Sequence, residues 1–168
     1  PPEREVFLMK NIHFMLEIMH ILVYNINTYI FCFERGLFMT RKIAREEAFI
    51  LVFEKAFNDN SVEEILELAN EVRELVPDDY IKTVFSGVFD NLEEIDAIIS
   101  ENAVGWRIER ISKTALSVLR LAIYEIKYFD EIPVAVSINE AVELCKKYAT
   151  KEDASFVNGI LATVVKKL

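Results

Sequence analysis

Apolar residues recur at three- and four-residue spacing along most of this chain, the period of amphipathic helices rather than strands. Phe85, Val88, Leu92, Ile95 and Ile99 carry it through "DDYIKTVFSGVFDNLEEIDAIIS", which predicts one helix opened by Pro77 and Asp78 and running over residues 78 to 100. Upstream, residues 40 to 57 form a helix that "NDNS" ends. Ser61 then precedes Glu64 by three positions, the capping-box spacing, and starts a helix that reaches about Val76. Downstream of a joint, "ENAVGWRIERIS", Ser112 caps "KTALSVLRLAIYEIKYF". That segment is apolar on several sides, which places it at the centre of a bundle. Pro133 in "DEIP" ends it, because the residue before a proline is pushed toward extended backbone. "VAVSINEAVELCKKYA" is the next helix, with Ser137 and Glu140 again at capping-box spacing, and a loop, "TKED", leads to the last, "ASFVNGILATVVKKL".

Composition agrees with an all-α class. The chain is 52% hydrophobic with only 4 Gly and 4 Pro among 168 residues, too apolar for disorder and too poor in breakers for a sheet protein with many tight turns. Its length suits one domain, or two small sub-domains around a shared core.

Residues 1 to 38 read differently. Residues 7 to 33 are the most hydrophobic tract, but Lys10, Glu17 and His20 interrupt it, so it lacks a clean span of about 20 apolar residues. No small-residue cleavage site follows, as a signal peptide would require. The tract is rich in residues that AT-rich codons favour and closes on "ERGLFM", whose Glu-Arg-Gly can be written as a purine run resembling a ribosome-binding site. The expectation is an atypical apolar extension, translated leader over residues 1 to 38, with Met39 as the biological start of a second segment, 39 to 168. Intact mass of the natural protein tests this.

Charge narrows the chemistry. A net charge of -9 excludes a broad basic face for duplex DNA. Of 2 cysteines, Cys32 and Cys145, neither belongs to a CxxC or a Cys/His cluster, so neither a disulfide framework nor a structural zinc site is expected, and no cofactor or metal. Cys145 reads as a small core hydrophobe. Nucleotide-binding, serine-hydrolase and zincin motifs are missing, and no histidine follows His20 to serve as a general base. Carboxylate pairs such as Glu46 and Glu47 or Asp78 and Asp79 lie near helix starts, where they complement the dipole. The chain reads as a binding protein, not an enzyme.

Against this acidic background, Arg41, Lys42 and Arg45 crowd the first turns of the helix over 40 to 57. Each opposes the helix dipole at about 0.3–1 kcal/mol in an exposed setting. Two readings stand: a phosphate-binding patch helped by the helix amides, or cations neutralised by Glu46, Glu47 or a distant carboxylate. In "KEDASFVNGIL", Lys151, Phe156 and Asn158 combine a cation, an aromatic ring and an amide, a set suited to single-stranded bases, although a phenylalanine at helix spacing is more often a core residue. Asn139 and Glu140 suit capping and inter-helix bonds, and Trp106 reads as an anchor of the joint rather than a stacking surface.

Taken in order, "RKIAREEAF", "LRLAIYEIKYFDEIPVAVSINEAVELCKKYA" and "FVNGIL" resemble the NusB transcription antitermination family over about residues 40 to 168. The resemblance implies two small helical bundles packed together, in a cytoplasmic RNA-binding factor. Such proteins pair with NusE, a small-subunit ribosomal protein. The pair binds boxA RNA of ribosomal RNA leader transcripts and, with other Nus factors, helps the RNA polymerase elongation complex resist premature termination. The family's basic start matches Arg41, Lys42 and Arg45, and the aromatic of its FVNG motif matches Phe156, so both constellations are assigned to the RNA surface. Ile43 interrupts the arginine run of the best-known relatives. The central helix and its approach, with Glu109, Tyr124 and Glu125, are nominated for the NusE contact. Some relatives form homodimers that hide the RNA surface. A NusB-like domain also precedes certain ribosomal RNA cytosine methyltransferases, an alternative that needs a cofactor-binding α/β domain not present up to Leu168. A membrane-tethered reading depends on residues 1 to 38 alone.

Overall fold

The computed structural model describes residues 39–167, and the expectations for residues 1 to 38, with His13, His20 and Cys32, lie outside them. The described residues form seven α-helices, one 3-10 turn and no strand. Helix α1 (Arg41–Lys55) starts where the Thr40 hydroxyl accepts the Ile43 amide at 3.3 Å. Helix α2 (Val62–Arg73) opens on the full Ser61–Glu64 capping box, each side chain accepting the other's backbone N–H. Asp78 caps α3 (Asp79–Asp90) by accepting the Ile81 amide at 2.8 Å.

The single helix expected over 78 to 100 divides at Asn91, which leaves helical geometry (φ -114°, ψ 22°) before α4 (Leu92–Asn102) begins. The Asn91 side chain folds back and donates to the Gly87 carbonyl at 2.8 Å, the local competition that asparagine brings to a helix interior. Both halves bury their apolar stripe in the same core, so the three-four period runs through the break and conceals it.

A turn at Gly105 (φ 79°) and the 3-10 segment Ile108–Arg110 lead to α5 (Lys113–Tyr128), capped by Ser112, whose hydroxyl accepts the Ala115 amide at 3.1 Å. Helix α6 (Val134–Tyr148) and α7 (Lys151–Val165) complete the chain. Two expectations fail here. Helix α6 begins at Val134 directly after Pro133, so Ser137 lies inside it and makes no capping box with Glu140; its hydroxyl is buried without a hydrogen-bond partner. "TKED" is not a loop. Thr150 caps α7 by accepting the Asp153 amide at 3.0 Å, which puts Lys151, Glu152 and Asp153 in the first turn.

Helix α5 is the axis of the bundle and touches α1, α3, α4, α6 and α7. Ala115, Val118, Leu119, Ala122 and Ile123 on it are wholly buried, as its apolar circumference predicted. One continuous core joins α1–α3 on one side to α4, α6 and α7 on the other. Among the described residues no helix is long and apolar enough to cross a membrane.

At Gly87 the backbone of α3 lies directly against Tyr124 of α5. A Cβ added there would overlap the ring and hydroxyl of Tyr124, a core side chain only 7% exposed. Gly87→Ala is therefore expected to cost about 1–3 kcal/mol despite alanine's better helix propensity, read from urea denaturation. A stabilised variant would place this contact wrongly.

Candidate nucleic-acid interface

The N-terminal turn of α1 sends its cations in two directions. Arg41 and Lys42 are exposed, whereas Arg45, one turn on, points inward and keeps 3% of its surface. Its guanidinium donates from Nε and Nη2 to Glu125 Oε1 at 3.0 and 2.7 Å. Glu125, on α5, is fully buried and also accepts the Tyr80 hydroxyl at 2.8 Å. Glu140 Oε2 stands 3.7 Å from Arg45 Nη1. Burial opposes the Arg45 charge, but the Glu125 bond and the Tyr80, Glu125 and Glu140 groups outweigh it and hold the guanidinium more firmly protonated than usual. Burial, and next the Glu125 carboxylate, push the Tyr80 phenol far above its ordinary range, so it remains a donor.

This corrects two expectations. Arg41, Lys42 and Arg45 do not form one exposed patch; for Arg45 the distant carboxylate is Glu125. Glu125 in turn is spent on Arg45 and Tyr80 and offers nothing to a partner protein. Tyr124, nominated beside it, is likewise buried over Gly87. Glu109 is exposed, with its carboxylate 3.4 Å from Arg107 Nε.

Tyr80 carries the buried cluster outward. The Arg41 guanidinium lies over its ring, 4.2 Å from the centroid, a cation–π contact that sets an exposed cation on a rigid support. On the other flank of α1, Glu46 accepts from Lys147 Nζ at 2.5 Å and from the Tyr148 hydroxyl, while the Tyr148 ring meets Phe49 at 5.1 Å. The end of α6, and with it the junction to α7, is thereby clamped against α1.

On α7, Lys151 and Asn158 are exposed and Phe156 is half-buried at the core margin. Trp106 is not the buried anchor expected of it. It remains 55% exposed and leans on Phe156, ring centroids 5.7 Å apart and planes at 60°. Asn139 is exposed, while Glu140 faces Arg45. Cys145 is a buried core residue whose thiol burial, with Asp153 nearby, pushes up to about 12.

Tyr80, Lys147 and Tyr148 escaped sequence reasoning. One signal was available: a carboxylate on the largely apolar helix of "LRLAIYEIKYF", which reads as the centre of the bundle, demands a buried cation, and only a few arginines could supply it.

A family model described as the NusB family matches residues 42–166. Among curated relatives, the transcription antitermination protein NusB of Natranaerobius thermophilus is 47% identical over 135 residues, covering 77% of this chain and 97% of the relative. That of Clostridium botulinum (strain Loch Maree / Type A3) is 41% identical over 141 residues, covering 76% of this chain and 100% of the relative. In solved structures, T. maritima NusB superposes with a TM-score of 0.68 at 35% identity, over 76% of this chain and 92% of that one. A crystal structure of the antitermination factors NusB and NusE in complex with dsRNA gives 0.69 at 27% identity, over 76% and 97%.

Proposed function

The chain belongs to the NusB family, and on that premise we propose that it is a non-catalytic transcription antitermination factor that binds RNA together with NusE. Its RNA is the boxA element of ribosomal RNA leader transcripts, and the complex, with RNA polymerase and other Nus factors in the cytoplasm, opposes premature termination. Arg41, Lys42 and Lys151 meet phosphates, while Phe156 and Asn158 meet a base. Arg45 contributes as a positioning residue, because it holds Glu125 and Tyr80 beneath Arg41. Glu109, exposed ahead of α5, contributes to the NusE contact.

One observation carries the RNA reading furthest. At the start of α1, an acidic protein keeps two exposed cations against the helix dipole and supports Arg41 from below with a buried aromatic ring. A structural role would favour acids there. The relatives' names and the NusB–NusE complex with RNA support the partner and the class of ligand.

The test is fluorescence anisotropy of labelled boxA RNA, titrated with the full chain alone and with NusE, beside a scrambled RNA. Selective binding strengthened by NusE is expected; equal binding of both RNAs would refute the boxA assignment. The Arg41→Ala, Lys42→Ala double variant should stay folded and bind more weakly, with the log–log salt slope shallower by about 0.7 for each phosphate that is no longer neutralised. An unchanged slope would remove these residues from the interface.

A further inference from the structure

Trp106 is the single tryptophan of the chain, and it stands on the turn after α4 with 55% of its surface in water. Its place is fixed from three sides. Gly105 takes the left-handed conformation (φ 79°), the Trp106 N–H donates to the Ala103 carbonyl at 2.9 Å, and the indole rests on Phe156 at 5.7 Å and 60°. A tilted contact of that kind engages part of one ring and leaves an indole face open. The flanking segments carry charges of both signs, with Glu101, Glu109 and Glu152 exposed among the cations. Arg107, with a 78% exposed side chain, follows directly, Arg110 and Lys113 are exposed on the same segment, and Lys151 is exposed on the α7 turn that precedes Phe156. Of these only Arg107 has an ion pair among the described residues, with Glu109.

We propose that Trp106 and Phe156 form one aromatic step on which an unpaired base of the bound RNA stacks, with Arg107 and Arg110 meeting the flanking phosphates. The proposal rests on the RNA-binding reading above and adds to it a residue and a mode of contact. Exposed rings bordered by cations suit single-stranded nucleic acid, because every base has a π-face and every linkage a negative charge. A duplex keeps its base faces within its own stack and has none to offer.

Because Trp106 is the chain's single tryptophan, the intrinsic fluorescence of the full chain in complex with tryptophan-free NusE reports on this position alone. Addition of NusE, assigned to Glu109 three residues on, should alter the emission far less than boxA RNA, whose subsequent addition should quench it in step with the anisotropy of labelled RNA. Trp106→Ala should weaken RNA binding about tenfold, Trp106→Phe should remain within about threefold, and Trp106→Leu, apolar but without a π-face, should match the alanine variant. RNA binding without quenching, or a leucine variant as good as phenylalanine, would overturn the stacking step and leave the RNA-binding reading intact. Quenching completed by NusE alone, with no further change on adding RNA, would make this a protein contact instead. Absence of RNA binding by the wild-type complex would overturn both.

Discussion

Glu125→Ala is expected to remove about 3–5 kcal/mol of folding stability, although the side chain is a charged one and touches no ligand. Its two oxygens accept from Arg45 and from the Tyr80 hydroxyl in a site sealed from water. Truncation leaves the guanidinium buried with only Glu140, at 3.7 Å, to answer it, and leaves the phenol without its acceptor. Against a domain stability of about 5–15 kcal/mol, that loss lowers the midpoint of thermal unfolding by about 10 °C or more. Denaturation by urea and by heat measures it, and a loss below about 1 kcal/mol would mean that water reaches the pair. Arg45→Met with Glu125→Leu separates pairing from burial. With both charges replaced by apolar side chains, most of the stability should return, because the pair's mutual attraction largely offsets its own desolvation. RNA binding by that double variant then decides what Arg45 does. Retained affinity fits a residue that supports Arg41 through Tyr80, whereas a loss as large as that of Arg41→Ala would give Arg45 a direct part.

The helices themselves were legible in the sequence because the signals that define them are local. Ser61, Asp78 and Ser112 each accept a backbone amide three residues on, and the pattern needs no knowledge of the rest of the molecule; Thr40 and Thr150 do the same, although "TKED" reads as a loop. The apolar circumference of α5 likewise announced its central place. What remained hidden is set by tertiary pairing. Arg45 and Glu125 are 80 positions apart, and a helical period cannot say which of three neighbouring cations turns inward. The break at Asn91 depends on one side chain beneath an unbroken apolar stripe, and the capping-box spacing of Ser137 and Glu140 goes unused because α6 already begins at Val134. Trp106 follows the same rule. Its residue type suits either an anchor or a stacking surface, and its contact with Phe156, 50 positions on, arises only once α7 is packed.

Leu119→Asp is expected to abolish the folded state at neutral pH, and Ile123→Asp to do the same. Both positions are completely buried on α5, the helix shared by the two halves of the core. Losing a leucine there costs about 2–5 kcal/mol in packing, and an unpaired carboxylate adds several more, a total comparable to the whole stability of the domain. Leu119→Asn, of similar shape but without charge, isolates the electrostatic part. Burial raises the carboxyl pKa of the folded aspartate variant above its unfolded value of about 3.9. The charge penalty is therefore fully present above the folded pKa, and it fades as the pH falls toward the unfolded one. The aspartate and asparagine variants should accordingly differ most at neutral pH and converge as the solution approaches pH 4, followed by helical circular dichroism and urea midpoints. A fully helical, cooperatively unfolding aspartate variant at pH 7 would mean that position 119 reaches water, and that α5 is not the buried axis on which Arg45, Tyr80 and the exposed cations of α1 are mounted.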